Sequence, residues 1–139
     1  EGDLNTNHLS QIVFIQYEGS TICVAGDLER PAWEKILKRQ SIMDRLKTVN
    51  VLIAPHHGRE NGYHEDIFKY CSPEVIVISD KDIMYDTQNG MAQRYAKHVG
   101  SSGITFNGAQ RKVLTTRSDG HILIEFETNG ARSYRPLAV

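Results

Sequence analysis

The sequence is short of several things at once. It holds two cysteines, Cys23 and Cys71, far below the density of a disulfide framework. Cys23 lies in an apolar, strand-like run and Cys71 near the end of a helical one. Both are expected to be reduced and packed, which points to a cytoplasmic setting. No apolar run approaches the ~18 residues that span a bilayer, so no membrane segment is expected in this chain. Neither sign of charge is in excess. A net charge of -1 and a pI near 6.7 give no overall basic field, so charge does not support a nucleic-acid partner. A Gly-x-Ser-x-Gly elbow is missing, which argues against a serine-nucleophile hydrolase. So are Gly-x-Gly-x-x-Gly and the P-loop, which argues against the common nucleotide folds. Repeats, low-complexity tracts, linkers and a visible signal peptide are lacking too. The chain opens "EGDLNTN" without Met, and we read it as a piece of a longer protein.

What is present suits one domain over residues 1–139. The hydrophobic fraction is 40% and the charged fraction 24%, enough to bury a core. "QIVFIQY" (11–17) and "TICVA" (21–25) read as strands joined at Glu18-Gly19-Ser20 into a hairpin. Pro31 suits the start of a helix that turns Trp33, Ile36 and Leu37 to one side. Ser41 with Asp44 resembles a capping box and predicts a break near Gln40 and a second short helix. "VNVLIA" (49–54) and "EVIVIS" (74–79) are unbroken apolar runs, as in strands covered on both faces. Helices are expected around 64–70 and over 89–98, the latter aligning Met91, Tyr95 and Val99. Residues 103–106, 112–116 and 121–127 read as strands, the last two joined by a turn at Ser118-Asp119-Gly120. The order β-β-α-β-α-β-α-β-β-β predicts an α/β layered domain with a mixed sheet flanked by helices.

Two of these strands end in chemistry. "VAGDLE" runs from strand to Gly26 and Asp27, and "IAPHHG" from strand to Pro55, His56, His57 and Gly58. Strand C-termini in layered α/β folds form the rim where ligands bind. A carboxylate with an imidazole is a ligand set for zinc, manganese or iron. Each piece also has a plain reading: Gly-Asp after a strand is commonly a turn or a cap, and one imidazole of a pair can be a hydrogen-bonded rim residue with the other in solvent. His64 reads as a helix-start cap, and His98 and His121 as structural. Asp80, Asp82 and Asp86 read as a solvated acidic loop, and Arg111, Lys112 and Arg117 as a small basic edge.

The stretch from "NHLSQIVFIQYEGSTICVAGDLE" through "VLIAPHHGRENGYHEDIFKYCSPEVIVIS" resembles the C-terminal half of a metallo-β-lactamase-fold hydrolase. The similar branch includes competence-type DNA-uptake proteins and phosphorylcholine esterases. The resemblance covers roughly residues 5–80: Asn7 and Ser10 before the first strand, Gly26-Asp27, His56-His57-Gly58, and a strand ending at Ser79. It implies the C-terminal half of an αββα sandwich. It also implies a metal-dependent, phosphoester-directed hydrolase with two zinc ions in the complete domain, manganese or iron being alternatives. By the same resemblance Asp27 bridges the two metals, His57 ligates one, and His56 is a catalytic pocket residue facing a phosphate or leaving group.

The departures are equally specific. The family's His-x-His-x-Asp-His motif does not occur. The histidines are His8, His56, His57, His64, His98 and His121, and no two have the His-x-His spacing. The implied partner is therefore a missing N-terminal half-domain, with a homo-oligomer as another way to cover an open sheet face. The Asn-x-Tyr-x-His-Pro motif of competence-type relatives is replaced by "DKDIMYDTQNG", in which Tyr85 corresponds to the tyrosine and no His-Pro follows. The alternative reading is a non-catalytic half-domain that acts as an interaction module. The isolated chain is expected to be inactive.

Overall fold

The computed structural model describes residues 6–83 and 86–138. Tyr85 lies outside them. The first hairpin pairs β1 (Val13–Tyr17) with β2 (Ser20–Val24) in antiparallel register, Tyr17 opposite Ser20. Its two-residue loop puts both Glu18 (φ 46°) and Gly19 (φ 79°) in the left-handed region. That sense of turn matches the right-handed twist of the flanking strands.

The chain then crosses over repeatedly. β3 (Val51–Ile53), β4 (Val75–Ile78) and β7 (Val113–Thr115) join β2 in parallel, giving a five-stranded sheet of order β1-β2-β3-β4-β7. The sheet is mixed and the domain is α/β, as the apolar runs predict. Parallel strands need crossovers, and here these contain α1 (Arg30–Ile36), α2 (Gln40–Leu46) and α3 (Met91–Ala96). All four parallel strands point their C-termini to one rim.

The sheet's two faces are sorted by the period-2 alternation of its strands. Cys23, Leu52, Ile76 and Val113 pack with Trp33, Leu46, Ile67, Tyr95 and Val99 on the helical side. Val51, Val75, Val77 and Leu114 pack with Ile104 and Phe106 on the other, joined by Ile122, Ile124 and Phe126. Two small hairpins supply that second layer: β5 (Ile104–Phe106) with β6 (Ala109–Arg111), and β8 (Ile122–Phe126) with β9 (Arg132–Pro136). Glu74 clamps the last hairpin to the sheet. Arg132 Nε and Nη2 donate to its two oxygens at 2.7 and 2.9 Å, and Tyr134 Oη donates as well.

The second layer stops short of the sheet's edge. On β1, Val13, Ile15 and Tyr17 are 43%, 53% and 45% exposed. They share a face with Val24, Ile22 and Ser20, their register partners.

Several expectations need correction. The break between the first two helices falls at residues 37–39, and Ser41 lies inside α2 instead of capping it. Asp44 Oδ1 accepts from Gln40 Nε2 at 2.9 Å. Residues 64–70 hold a short 3-10 turn, Glu65–Lys69, with His64 Nδ1 accepting from the Asp66 amide (3.2 Å) as a cap. Ser118-Asp119-Gly120 does not join two paired strands. It closes the short helix α4 (Thr116–Asp119), so β7 stays in the central sheet while β8 leaves to pair with β9. Two members of the basic edge are taken up in ion pairs: Arg111 forks onto Asp119 at 2.8 and 2.9 Å, and Arg117 binds Asp80, while Lys112 stays exposed. Both cysteines are buried and unbonded, as expected.

Candidate metal centre and the adjoining cavity

The rim of the sheet collects one loop from each parallel strand. After β2 comes Ala25-Gly26-Asp27, after β3 Pro55-His56-His57-Gly58, after β4 Ser79-Asp80, and after β7 the helix α4. Neighbouring strands make neighbouring loops, so the two motifs meet. The His56 amide donates to the Gly26 carbonyl at 2.8 Å. The Asp27 amide donates to Ser10 Oγ at 3.2 Å. A Cβ on Gly26 would meet Ser10 Cβ at 3.3 Å, so the loop lies tight against the segment before β1.

The loop after β3 is built from consecutive left-handed residues: His56 (φ 48°), His57 (φ 53°) and Gly58 (φ 71°). Such a conformation costs an L-residue about 1–2 kcal/mol. Backbone strain of this kind persists only where the surroundings enforce it. They do so here through the hydrogen bond to Gly26 and through packing at Gly58, where a Cβ would stand 2.7 Å from Ile78 Cγ2. The turn sends the two imidazoles apart, with ring centroids 6.3 Å from each other and planes tilted by 57°.

His57 points outward to Asp27. Its Nε2 stands 3.3 Å from Asp27 Oδ1, and both side chains are about half exposed. Its Nδ1 lies 2.8 Å from the Ser79 carbonyl oxygen. A carbonyl oxygen only accepts, so Nδ1 carries the hydrogen and Nε2 faces the carboxylate. An imidazole anchored through one nitrogen so that the other is aimed is the usual preparation of a metal-ligating histidine. Two donors on one tetrahedral zinc, at bonds of about 2.0–2.1 Å, stand about 3.3–3.4 Å apart. The pair therefore fits two adjacent corners of such a site. A third and fourth corner are not supplied: among the described residues no group of three or more His, Cys, Asp or Glu side chains could hold a metal ion.

His56 turns the other way. It is 8% exposed, and its Nδ1 lies 3.3 Å from Glu29 Oε1, at ion-pair distance but without hydrogen-bond alignment. Glu29 Oε1 also accepts from Asn7 Nδ2 (2.9 Å) and Asn61 Nδ2 (3.1 Å). One carboxylate thus gathers the segment before β1, the loop after β3 and the turn that follows it. The "GDLE" spacing held this signal, since Glu29 leaves the rim two residues after Asp27.

Beyond His57 the rim opens into a cavity of about 580 Å³, walled by Ser79, Lys81, Thr116 and His121 among others. Two readings of the sequence change here. Asp80 is not part of a solvated acidic loop. Its side chain is 3% exposed, and Arg117 binds it through Nη1 (2.7 Å) and through its backbone amide (3.2 Å). Thr116 Oγ1 accepts from the Asp80 amide at 2.8 Å and donates to the Asp80 carbonyl at 2.7 Å. Asp82 and Asp86 are exposed, as expected. His121, read as structural, is exposed on the cavity wall. His98 is structural: its Nε2 shares a hydrogen bond of 2.6 Å with Tyr63 Oη and its ring stacks on Phe68 at 4.0 Å. Burial holds its pKa below the ordinary histidine value.

The chain matches no protein-family model and no curated protein. Among the described residues, no helix is long and apolar enough to cross a membrane.

Proposed function

We propose that this chain is part of a metal-dependent hydrolase of the metallo-β-lactamase type, directed at phosphoesters. The observation that carries the reading is the aim of His57 Nε2 at Asp27 Oδ1, 3.3 Å away, with Nδ1 held by the Ser79 carbonyl. In this reading Asp27 and His57 each give a donor atom to a divalent cation, zinc by preference and manganese or iron otherwise. Such a cation supplies Lewis-acid polarisation of a phosphoryl oxygen and lowers the pKa of water to ~7. The chain's own residues do the positioning. Ser10 fixes the Asp27 loop through the Asp27 amide, and Ser79 fixes the His57 ring. Glu29 faces Nδ1 of the buried His56 ring, which braces the loop from the side away from the cavity. The remaining ligands come from a complementary half-domain, which completes the sandwich by packing on the sheet face that leaves Val13, Ile15 and Tyr17 bare.

The test is zinc titration followed by nitrogen NMR of the imidazoles. Zinc moves His57 Nε2 before any other ring nitrogen, weakly, because two ligands make a poor site. Asp27→Ala abolishes that response. Zinc that perturbs other histidines and spares His57 refutes the assignment. In an assembly carrying the complementary half, Asp27→Ala removes turnover; unchanged turnover refutes it equally.

A second reading has its own support. The exposed apolar row on β1, together with two metal donors where at least three are needed, suits a non-catalytic half-domain that binds a partner through that face. It predicts no zinc response at His57 and loss of association on Ile15→Asp.

A further inference from the structure

The helical side of β1 has chemistry of its own. Strand alternation turns Ile12, Phe14 and Gln16 toward the helices, opposite to Val13, Ile15 and Tyr17. Two hollows follow one another along that row. Ile12 lines the first with Lys35 and Arg39, and Phe14 and Gln16 line the second with Ser41 and Arg45. The Arg45 guanidinium stands 5.9 Å from the centroid of the Phe14 ring. Lys35, Arg39 and Arg45 are exposed, and none has an acidic partner among the described residues. They belong to a local excess. Residues 30–47 carry Arg30, Lys35, Lys38, Arg39, Arg45 and Lys47 against Glu34 and Asp44, in a chain whose net charge is -1. Asp44 also lines the second hollow, but it is occupied: its Oδ1 lies 3.3 Å from Lys47 Nζ and accepts from Gln40 Nε2. Such a field attracts carboxylates.

The backbone beside these hollows offers hydrogen bonds in a regular pattern. Thr21 turns both of its backbone groups toward β3: its amide donates to Asn50 Oδ1 at 2.8 Å, and its carbonyl accepts from the Asn50 amide at 2.9 Å. Gln16 is its register partner on β1. The two therefore form a non-hydrogen-bonded pair, and the N–H and C=O of Gln16 point away from β2. Phe14, two residues earlier, repeats the arrangement about 6.8 Å away. Because β1 ends the sheet, these groups face outward, next to the cations. A second copy of this chain is the weaker partner here. Its β1 brings no carboxylate, and a two-fold pairing sets one group of cations against another.

We propose that the β1 edge takes up an extended acidic segment of a protein partner, which adds to the sheet as a further strand. The partner exchanges backbone hydrogen bonds with Phe14 and Gln16. Its carboxylates, at every second position, lie over Arg39 and Arg45, and apolar side chains between them continue the row of Val13, Ile15 and Tyr17. The proposal does not rest on the hydrolase reading.

The experiment uses the full chain and the blocked peptide Glu-Val-Glu-Ile-Glu-Val-Glu, followed by amide NMR and hydrogen exchange. The controls are the same peptide with lysine for glutamate and a single-stranded DNA oligonucleotide. The acidic peptide binds saturably and protects the Phe14 and Gln16 amides from exchange. The Ile15 amide, already directed to β2, changes little. Arg39→Ala and Arg45→Ala each weaken binding by about threefold, the worth of one exposed ion pair. Arg39→Glu combined with Arg45→Glu reverses the preference, so that the lysine peptide binds the more tightly. Both side chains are exposed, so neither change threatens the fold. Equal binding of the two peptides by the unaltered chain overturns the proposal, as does a preference that the double reversal leaves in place. So does acidic-peptide binding without protection at Phe14 and Gln16, or DNA binding more tightly than the acidic peptide. Self-association that the acidic peptide does not disperse in sedimentation assigns the edge to a second copy and overturns it too. Failure of zinc to reach His57 would refute the hydrolase reading and leave these titrations unaffected, so the two are separable.

Discussion

Gly58→Ala tests whether the left-handed turn at His56-His57-Gly58 is enforced by packing. Two costs add at this position. An alanine at φ 71° pays the left-handed penalty, about 1–2 kcal/mol. Its Cβ also stands 2.7 Å from Ile78 Cγ2 and 3.1 Å from Ile78 Cγ1 and Cδ1. Ile78 is buried at 4% exposure in the strand beneath, so it has little room to yield. Overpacking of that kind costs about 1–3 kcal/mol. The expected loss is about 2–5 kcal/mol, against a total stability of about 5–15 kcal/mol for an ordinary domain. Gly108→Ala is the control. It has φ 77° and nothing within 4 Å of the added carbon, so it carries the backbone penalty alone. Urea unfolding at constant m-value measures both. The difference between the two variants isolates the steric cost at Ile78. Ile78→Ala in the Gly58→Ala background then recovers part of it, as non-additivity of at least about 1 kcal/mol. If Gly58→Ala and Gly108→Ala agree within about 0.5 kcal/mol, Ile78 does not enforce the turn, and the account of how His57 is aimed fails.

Three further outcomes follow from the same geometry. Arg117→Ala leaves the Asp80 carboxylate buried without its cation and should cost about 3–5 kcal/mol in urea unfolding; Asp80→Asn with Arg117→Ala recovers part of that loss, and equal stability of the two variants would contradict the burial argument. Burial pushes the Glu74 carboxyl up, but hydrogen bonds from Arg132 and Tyr134 outweigh it and hold the group below its ordinary value. Its contribution is therefore present above the unfolded-state pKa and lost as pH falls through the folded value, so Glu74→Gln should flatten the acid limb of the stability curve; an unchanged limb refutes this. Burial raises the thiols, Cys71 to about 12 and Cys23 higher still, so at neutral pH neither should react with a thiol reagent faster than the chain unfolds, and rapid labelling of the folded chain would refute it.

The sequence spoke clearly where burial is two-sided. Val51–Ile53 and Val75–Ile78 carry no polar residue, because helices cover one face and hairpins the other. It was silent about β6 and β9. Ala-Gln-Arg and Arg-Ser-Tyr-Arg-Pro lack an apolar pattern, since each strand is half solvated and pairs only with the neighbouring strand of its own hairpin. Glu74 and Arg132 are 58 residues apart, and no local rule pairs them. The meeting of Asp27 with His57 was legible for a geometric reason: both follow strands, and those strands are parallel neighbours. The same rule would have flagged Asp80, which follows the next parallel strand in the same register. Its acidic neighbours Asp82 and Asp86 disguised it as one member of a hydrated cluster. His121 gave no local sign, because its position depends on β8 leaving the central sheet.

The bare row on β1 also bears on how the chain behaves at high concentration. β1 is a terminal strand of its sheet, so one side of its backbone has no ladder partner among the described residues. Val-Phe-Ile-Gln-Tyr is uncharged and β-prone, with no lysine or proline to discourage annealing. An open ladder and a sticky stripe on the same five residues form a template onto which another extended peptide can add. Gatekeeping by a single charge at Ile15 would protect the chain from filament growth and would mark the face by the solubility it restores.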